Sequence, residues 1–529
     1  MTEKNNGEDT MEEGRLPAAQ LSYVHHEDWP VLAWLATARA GSRALRIDHG
    51  SDVDTRHDWC CEAVWDGEFD AGNFDGSDIV FGSGVRVRPD GVYFVSSAST
   101  VDRIHALEAD GHIWVSNSLP CLLRAAGAQL DPGYPGYYED FWSVVRGLSN
   151  CVDRVATTRG DVRLVYFHNL KWDGRVLATV EKPSPERDFG SFDSYRNFLS
   201  RTMQAMSVNM QAPERSHGFE WLSTLSRGYD STAVSVLARD AGCRQVLCFD
   251  RARKGENDSG FENARTLGLE PVSIQTYGWR ELRMPEIPFV AANAMGEEVR
   301  LKAAEGYLRR RVLATGYHGD KIWDKHTKDL SAGIVRGDPS GSALTEYRLE
   351  AGFIHVPVPF WGVRQIAAVN RISNSDAMRP WDWGGAYSRP ICRRIGEEAG
   401  LARESFGVNK LAASVMLHEY DNFLTPGALD DYLVWLRQSA DAWRAWGRKP
   451  VRVSRSLLHL DASTFNSVNR VATWLKRLPY VWRWGHKLDR RNHHHYLRAY
   501  IFPWAIERRM AAYEGTEGHS SLQRQVDAA

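Results

Sequence analysis

The sequence predicts an α/β protein built around a parallel sheet, preceded by a mostly β domain and followed by a helical segment. Three observations predict this. Strand-like and helix-like runs alternate between about residues 218 and 425, short alternating runs fill 21–185, and the chain from 431 onward is helical in pattern. Strand and helix in alternation imply parallel strands covered on both faces. The chain has 529 residues, beyond the roughly 250–300 at which a single core stops growing, so two or three domains are expected.

Bulk composition narrows the classes. Hydrophobic residues make up 43% and charged residues 25%, as in a folded protein, and the formal net charge of -2 gives no global reason to expect a polyanion partner. No apolar run reaches the roughly 18–20 residues that cross a bilayer. The first twenty residues lack the charged-then-apolar order of a secretion signal, which makes a cytoplasmic location the default. The seven cysteines are odd in number and form no C-x-x-C pair, so neither a zinc site nor a disulfide framework is indicated. The 20 tryptophans are read as filling large cores.

Taken in order, residues 1–20 are polar and acidic without periodicity and are read as a disordered leader. In 21–185, the run Val85 to Arg88, the turn Pro89-Asp90-Gly91 and the run Val92 to Val95 form a hairpin pattern. Pro183 and Pro185 mark a linker. The domain assigned to 186–430 then opens with a helix from Phe189 to Met210. An apolar run (Phe219 to Leu225), a helix (Ser231 to Ala241), a strand (Gln245 to Phe249) and a helix (Gly260 to Leu267) follow. Residues 431–529 form a basic, tryptophan-rich extension with no internal repeat.

Two turns carry the chemistry. The first, Leu225-Ser226-Arg227-Gly228-Tyr229-Asp230-Ser231-Thr232, lies between a strand and a helix. There, backbone N–H groups, hydroxyls and the helix dipole favour phosphate oxygens, and a nearby carboxylate can hold magnesium. The second, Thr315-Gly316-Tyr317-His318-Gly319-Asp320, ends the apolar strand Val312 to Ala314 and supplies another carboxylate. Ligands of parallel sheets sit at the carboxyl ends of the strands, so Asp230 and Asp320 are expected to face one crevice.

The first turn resembles the S-G-G-x-D-S loop of the PP-loop ATP pyrophosphatases, with Ser226, Gly228, Asp230 and Ser231 matching. Arg227 replaces a glycine; it could crowd the loop or reach a phosphate itself. The second turn is similar to the T-G-Y-G-x-D form of the β-lactam synthetases, relatives of asparagine synthetase. Thr315, Gly316, Tyr317 and Asp320 match, His318 replaces a glycine, and Lys321 stands where asparagine synthetase has glutamate. The resemblance implies ATP held by Ser226, Arg227, Gly228, Asp230, Ser231, Thr315 and Gly316, with Mg2+ on Asp230 and Asp320. In the β-lactam synthetases a tyrosine paired with a glutamate deprotonates the attacking amine, and a downstream lysine stabilises developing charge. The corresponding positions here are Tyr317, Glu350 and Lys410, with Glu346 close enough to compete with Glu350.

Upstream, Trp65-Asp66-Gly67-Glu68-Phe69 and Ile113-Trp114-Val115-Ser116-Asn117 resemble strands of the Ntn glutaminase domain of asparagine synthetase. That domain uses an N-terminal cysteine, and no cysteine precedes Cys60 here. A glutaminase-like scaffold without glutaminase activity is the expectation, with Cys60 and Cys61 read as core residues.

From 431 to 510 about sixteen Lys and Arg stand against about five Asp and Glu, interleaved with Trp474, Trp482, Trp484 and Trp504. This pattern suits nucleic acid or a membrane surface, or a helical cap whose arginines stack on tryptophans; the cap is preferred. His493-His494-His495 is not read as a metal site, because consecutive helical residues point in different directions.

The expected function is an ATP-dependent amide-forming ligase of the carbon–nitrogen class. It would adenylate a small-molecule or peptide carboxylate, release pyrophosphate and AMP, and join the acyl group to an amine. The alternatives are a nucleotide-binding scaffold without turnover, favoured by Arg227, His318 and Lys321, and a PP-loop enzyme that modifies nucleobases or RNA.

Overall fold

The computed structural model describes residues 19–130, 134, 136–252, 255–385, 387–407, 411, 415, 424–439, 455–495 and 500–514. Most of the leader and Lys410 lie outside the described residues.

Thirteen strands build the first half: β1 (Gln20–His25), β2 (Trp34–Arg39), β3 (Ala44–His49), β4 (Asp54–Thr55), β5 (Trp59–Trp65), β6 (Val80–Arg88), β7 (Gly91–Val95), β8 (Ile104–Ala109), β9 (His112–Ser116), β10 (Arg154–Val155), β11 (Val162–Val165), β12 (Asn169–Trp172) and β13 (Leu177–Val180). They form a seven-stranded sheet, β1-β3-β2-β9-β8-β11-β10, and a six-stranded sheet, β13-β12-β7-β6-β5-β4. Pairing is antiparallel except between β1 and β3. The inward residues of both sheets, among them Trp34, Ile47, Val85, Phe94, Val115 and Trp172, share one buried cluster, so the sheets pack face to face. The β6–β7 hairpin follows the sequence pattern, with Arg88 opposite Gly91. Gln20, expected at the end of the leader, instead belongs to β1 and pairs with Ala44.

The helix Phe192–Met210 starts at a Ser191–Ser194 capping box, three residues later than the sequence suggests. The second half then builds a five-stranded parallel sheet from β14 (Glu220–Thr224), β15 (Gln245–Phe249), β16 (Glu270–Ile274), β17 (Arg311–Thr315) and β18 (Phe353–Pro357). Its order is β16-β15-β14-β17-β18. Leu222, Val246, Leu247, Val312, Leu313 and Ile354 are fully buried, as strands covered on both faces require. The order reverses between β14 and β17, which creates a crevice at the carboxyl ends of those two strands.

The two halves meet over buried charge. Arg348 reaches Glu62 of β5 at 2.6 and 3.1 Å and Asp102 at 2.6 Å. The helix Ile501–Met510 returns to this junction, where Phe502 lies 5.0 Å from Phe141 ring to ring and Arg509 bonds Glu350 at 2.5 Å. Among the described residues no helix is long and apolar enough to cross a membrane.

Candidate functional site

The first turn joins β14 to the helix Tyr229–Asp240, with Gly228 as its N-cap. Hydroxyls fix its shape. Ser226 Oγ accepts from the Gly228 N–H at 3.0 Å and lies 2.9 Å from Ser231 Oγ, while Thr232 Oγ1 donates to the Gly228 carbonyl at 2.8 Å. These bonds shape the loop around a helix start whose first N–H groups have no acceptor within the helix.

The second turn follows β17 and touches the first. A Cβ added at Gly316 would lie 2.7 Å from Asp230 Cβ, and one at Gly319 would lie 2.6 Å from Asp230 Cγ. Only glycine allows this approach. His318 adopts a φ of 73°, the left-handed conformation that favours glycine, and its ring stacks on Phe360 at 4.8 Å. Burial lowers His318 to about 3, so it is neutral near pH 7. Thr315 Oγ1 lies 2.8 Å from Nε2 of the buried His355.

Both turns line one cavity of about 190 Å³ at the strand ends. Ser226, Gly228, Asp230, Ser231, Thr315, Gly316 and Tyr317 contribute, joined by Arg251, Asp258, Arg300, Tyr387 and Arg389. Arg300 packs its guanidinium 4.5 Å from the Phe249 ring centre, and its Nη2 lies 3.5 Å from the Tyr317 hydroxyl. Burial pushes Asp258 up to about 6, against the pull of Arg300 and Arg227. Asp258 is still mostly ionised at pH 7 and Asp230 is paired to Arg389, but Arg251, Arg300 and Arg389 outnumber the two carboxylates, so the lining carries net positive charge, which suits an anion with several oxygens.

Several expected residues sit elsewhere. Arg227 is exposed and donates to the Glu404 carbonyl at 3.3 Å, so it neither crowds the cavity nor lines it. Asp320 opens on a separate hollow with Lys321, Asp324 and His326. Glu350 is not the partner of Tyr317: its carboxylate takes Lys302 at 3.0 Å and Arg509 at 2.5 Å. Glu346 is also engaged elsewhere, by Ser118 Oγ at 2.9 Å and the Leu119 N–H at 3.1 Å. The carboxylates acting on Tyr317 are Glu298 and, more weakly, Asp338; burial first and then these charges push the phenol up to about 12. Glu298 in turn accepts from the Gly341 N–H at 2.6 Å, and a Cβ at Gly341, whose φ is 89°, would lie 3.1 Å from the Tyr317 ring.

The magnesium set implied by the resemblance does not fit. Asp230 Oδ2 accepts from Arg389 Nη1, whose charge neutralises the carboxylate, and Oδ1 lies 3.7 Å from the Cys392 thiol. Asp320 faces the other hollow, and among the described residues no group of three His, Cys, Asp or Glu is placed to hold an ion. Cys60 and Cys61 are fully buried in β5, where burial raises both thiols.

Sequence reasoning missed Arg251, Asp258, Arg300, Tyr387 and Arg389. Arg251 had a signal, since it lies just past the carboxyl end of a recognised strand. Arg389 had none; it stands at the N-cap of the helix Pro390–Glu398, and nothing local aims it at a residue 159 positions away. No protein-family model matches the chain, and no curated protein matches it.

Proposed function

We propose that the protein is an ATP-dependent ligase that adenylates a carboxylate and passes the acyl group to an amine. The observation that carries the reading is the delivery of two turns, from the adjacent parallel strands β14 and β17, into one arginine-lined cavity at the point where strand order reverses. The Ser226 to Ser231 turn and the start of its helix would hold phosphate oxygens. A substrate carboxylate oxygen attacks the α-phosphorus, the bond to the bridging oxygen breaks, and pyrophosphate leaves. Arg300 and Arg389 supply positive charge where that leaving group gains negative charge, and no step is assigned to a metal. The unprotonated amine then attacks the acyl carbon, AMP departs with the electron pair of the broken C–O bond, and the proton lost by the amine passes to the departing phosphate or to water. Tyr317, protonated near neutral pH, would donate its hydroxyl proton in a hydrogen bond to a substrate oxygen rather than act as the base.

A second reading, nucleotide binding without turnover, is favoured by the engagement of Asp230 with Arg389. The test is pyrophosphate and AMP release from ATP with panels of carboxylates and amines. Carboxylate-dependent release that falls about tenfold or more in Arg300→Gln supports the ligase, given about 1.5–3 kcal/mol for a charge-assisted hydrogen bond. Release of ADP instead of AMP overturns it, and binding without release selects the second reading.

A further inference from the structure

We infer that Arg389 takes the position of a divalent cation on Asp230, so that the cavity binds a nucleoside polyphosphate in its metal-free form. The inference rests on the nucleotide-site reading above and specifies the ionic form of the ligand.

Geometry carries it. A magnesium ion bridging Asp230 to phosphate needs a free carboxylate oxygen. Here Oδ2 is held by Arg389 Nη1, which neutralises the carboxylate, and the Cys392 thiol lies 3.7 Å from Oδ1. Arg389 is fixed in place: its side chain is 3% exposed, and its guanidinium carbon lies 5.0 Å from the Tyr387 ring centre. Burial lowers it only to about 10, so it stays cationic at neutral pH.

The guanidinium groups also have donors to spare. Arg389 Nε and Arg300 Nε are buried, and neither finds a hydrogen-bond acceptor among the described residues. Buried donors are nearly always paired in a folded protein, so two orphans on one cavity wall call for an acceptor supplied from outside the chain. Phosphate oxygens match the spacing of an arginine fork. A divalent ion brought along with the phosphates would meet Arg251, Arg300 and Arg389 and find Asp230 already neutralised. Chelated phosphate oxygens would also be withheld from the arginines. Metal-free ATP is therefore the better ligand.

The test is equilibrium titration of the full-length protein with ATP, once in excess EDTA and once in excess magnesium. Binding at least as tight in EDTA as in magnesium is expected. Asp230→Asn, which releases Arg389 toward the ligand, should tighten binding in EDTA by about tenfold, and Arg389→Gln should weaken it by about tenfold or more. The titrations of the unaltered protein decide the question even if Arg389→Gln fails to fold. Binding that appears only with magnesium and is lost in Asp230→Asn overturns the inference and leaves the nucleotide reading standing. Absence of ATP binding under both conditions overturns the inference and the nucleotide reading together.

Discussion

Asp258→Asn tests the electrostatics of the cavity most directly. The carboxyl is 9% exposed, and burial raises it from 3.8 to about 6. Arg227, Arg300, Glu256 and Tyr387 are the charged and titratable groups that interact with it. A bound polyphosphate disfavours the ionised form further, so tight binding keeps Asp258 protonated. At pH 8 that protonation costs about 1.36 kcal/mol for each of roughly two pH units, or about 2.7 kcal/mol, a ceiling of about 100-fold in affinity. At pH 5 the cost is near zero. The assay is ATP titration calorimetry of parent and Asp258→Asn between pH 5 and 8. The γ-phosphate ionises in the same range, but it does so in both proteins and cancels in their ratio. The ratio should be near one at pH 5 and rise with pH, the variant binding more tightly by up to about 100-fold at pH 8. A ratio that stays near one at pH 8 would refute the reasoning. Stability has a matching sign: the folded-state value lies above the unfolded one, so stability from this group is present below about 3.8 and lost as pH rises through about 6.

Two further substitutions probe residues outside the cavity. Arg348→Met leaves Glu62 and Asp102 buried without their guanidinium, with side chains 0% and 8% exposed, and should cost about 3–5 kcal/mol. A lower urea midpoint at pH 7.5, partly recovered in Glu62→Gln/Arg348→Met, is the expected result; an unchanged midpoint would remove the network from the account of how the two halves are joined. Glu350→Gln, which weakens the contacts to Lys302 and Arg509, should cost about 1 kcal/mol or less and leave AMP formation unchanged. A loss of turnover with an unchanged KM for ATP would restore Glu350 to a catalytic role.

Much of the second half was legible because its signals are local. The strand Gln245–Phe249 has the bounds its apolar run suggests, and the helix Tyr229–Asp240 starts two residues before the expected Ser231. Both turns fall where glycine and hydroxyl residues end an apolar run. The role given to Glu350 shows the limit of spacing. Glu346 and Glu350 lie on one short helix, Thr345–Ala351, yet one bonds Ser118 and Leu119 and the other Lys302 and Arg509. Neither serves Tyr317, whose neighbouring carboxylate, Glu298, precedes it in the chain. Residues four apart share a helix face, so helical position alone does not separate these two, and only packing says what each meets.

By itself the sequence determined the succession of elements, the parallel character of the second sheet and the two glycine turns, because hydrophobic period and backbone freedom are properties of neighbouring residues. Only the tertiary structure decided that Arg389 pairs with Asp230, that Arg227 turns away and that Asp320 faces a separate hollow. Those outcomes depend on which distant side chains share a buried space, where each charge must find its partner, and no local period records that choice.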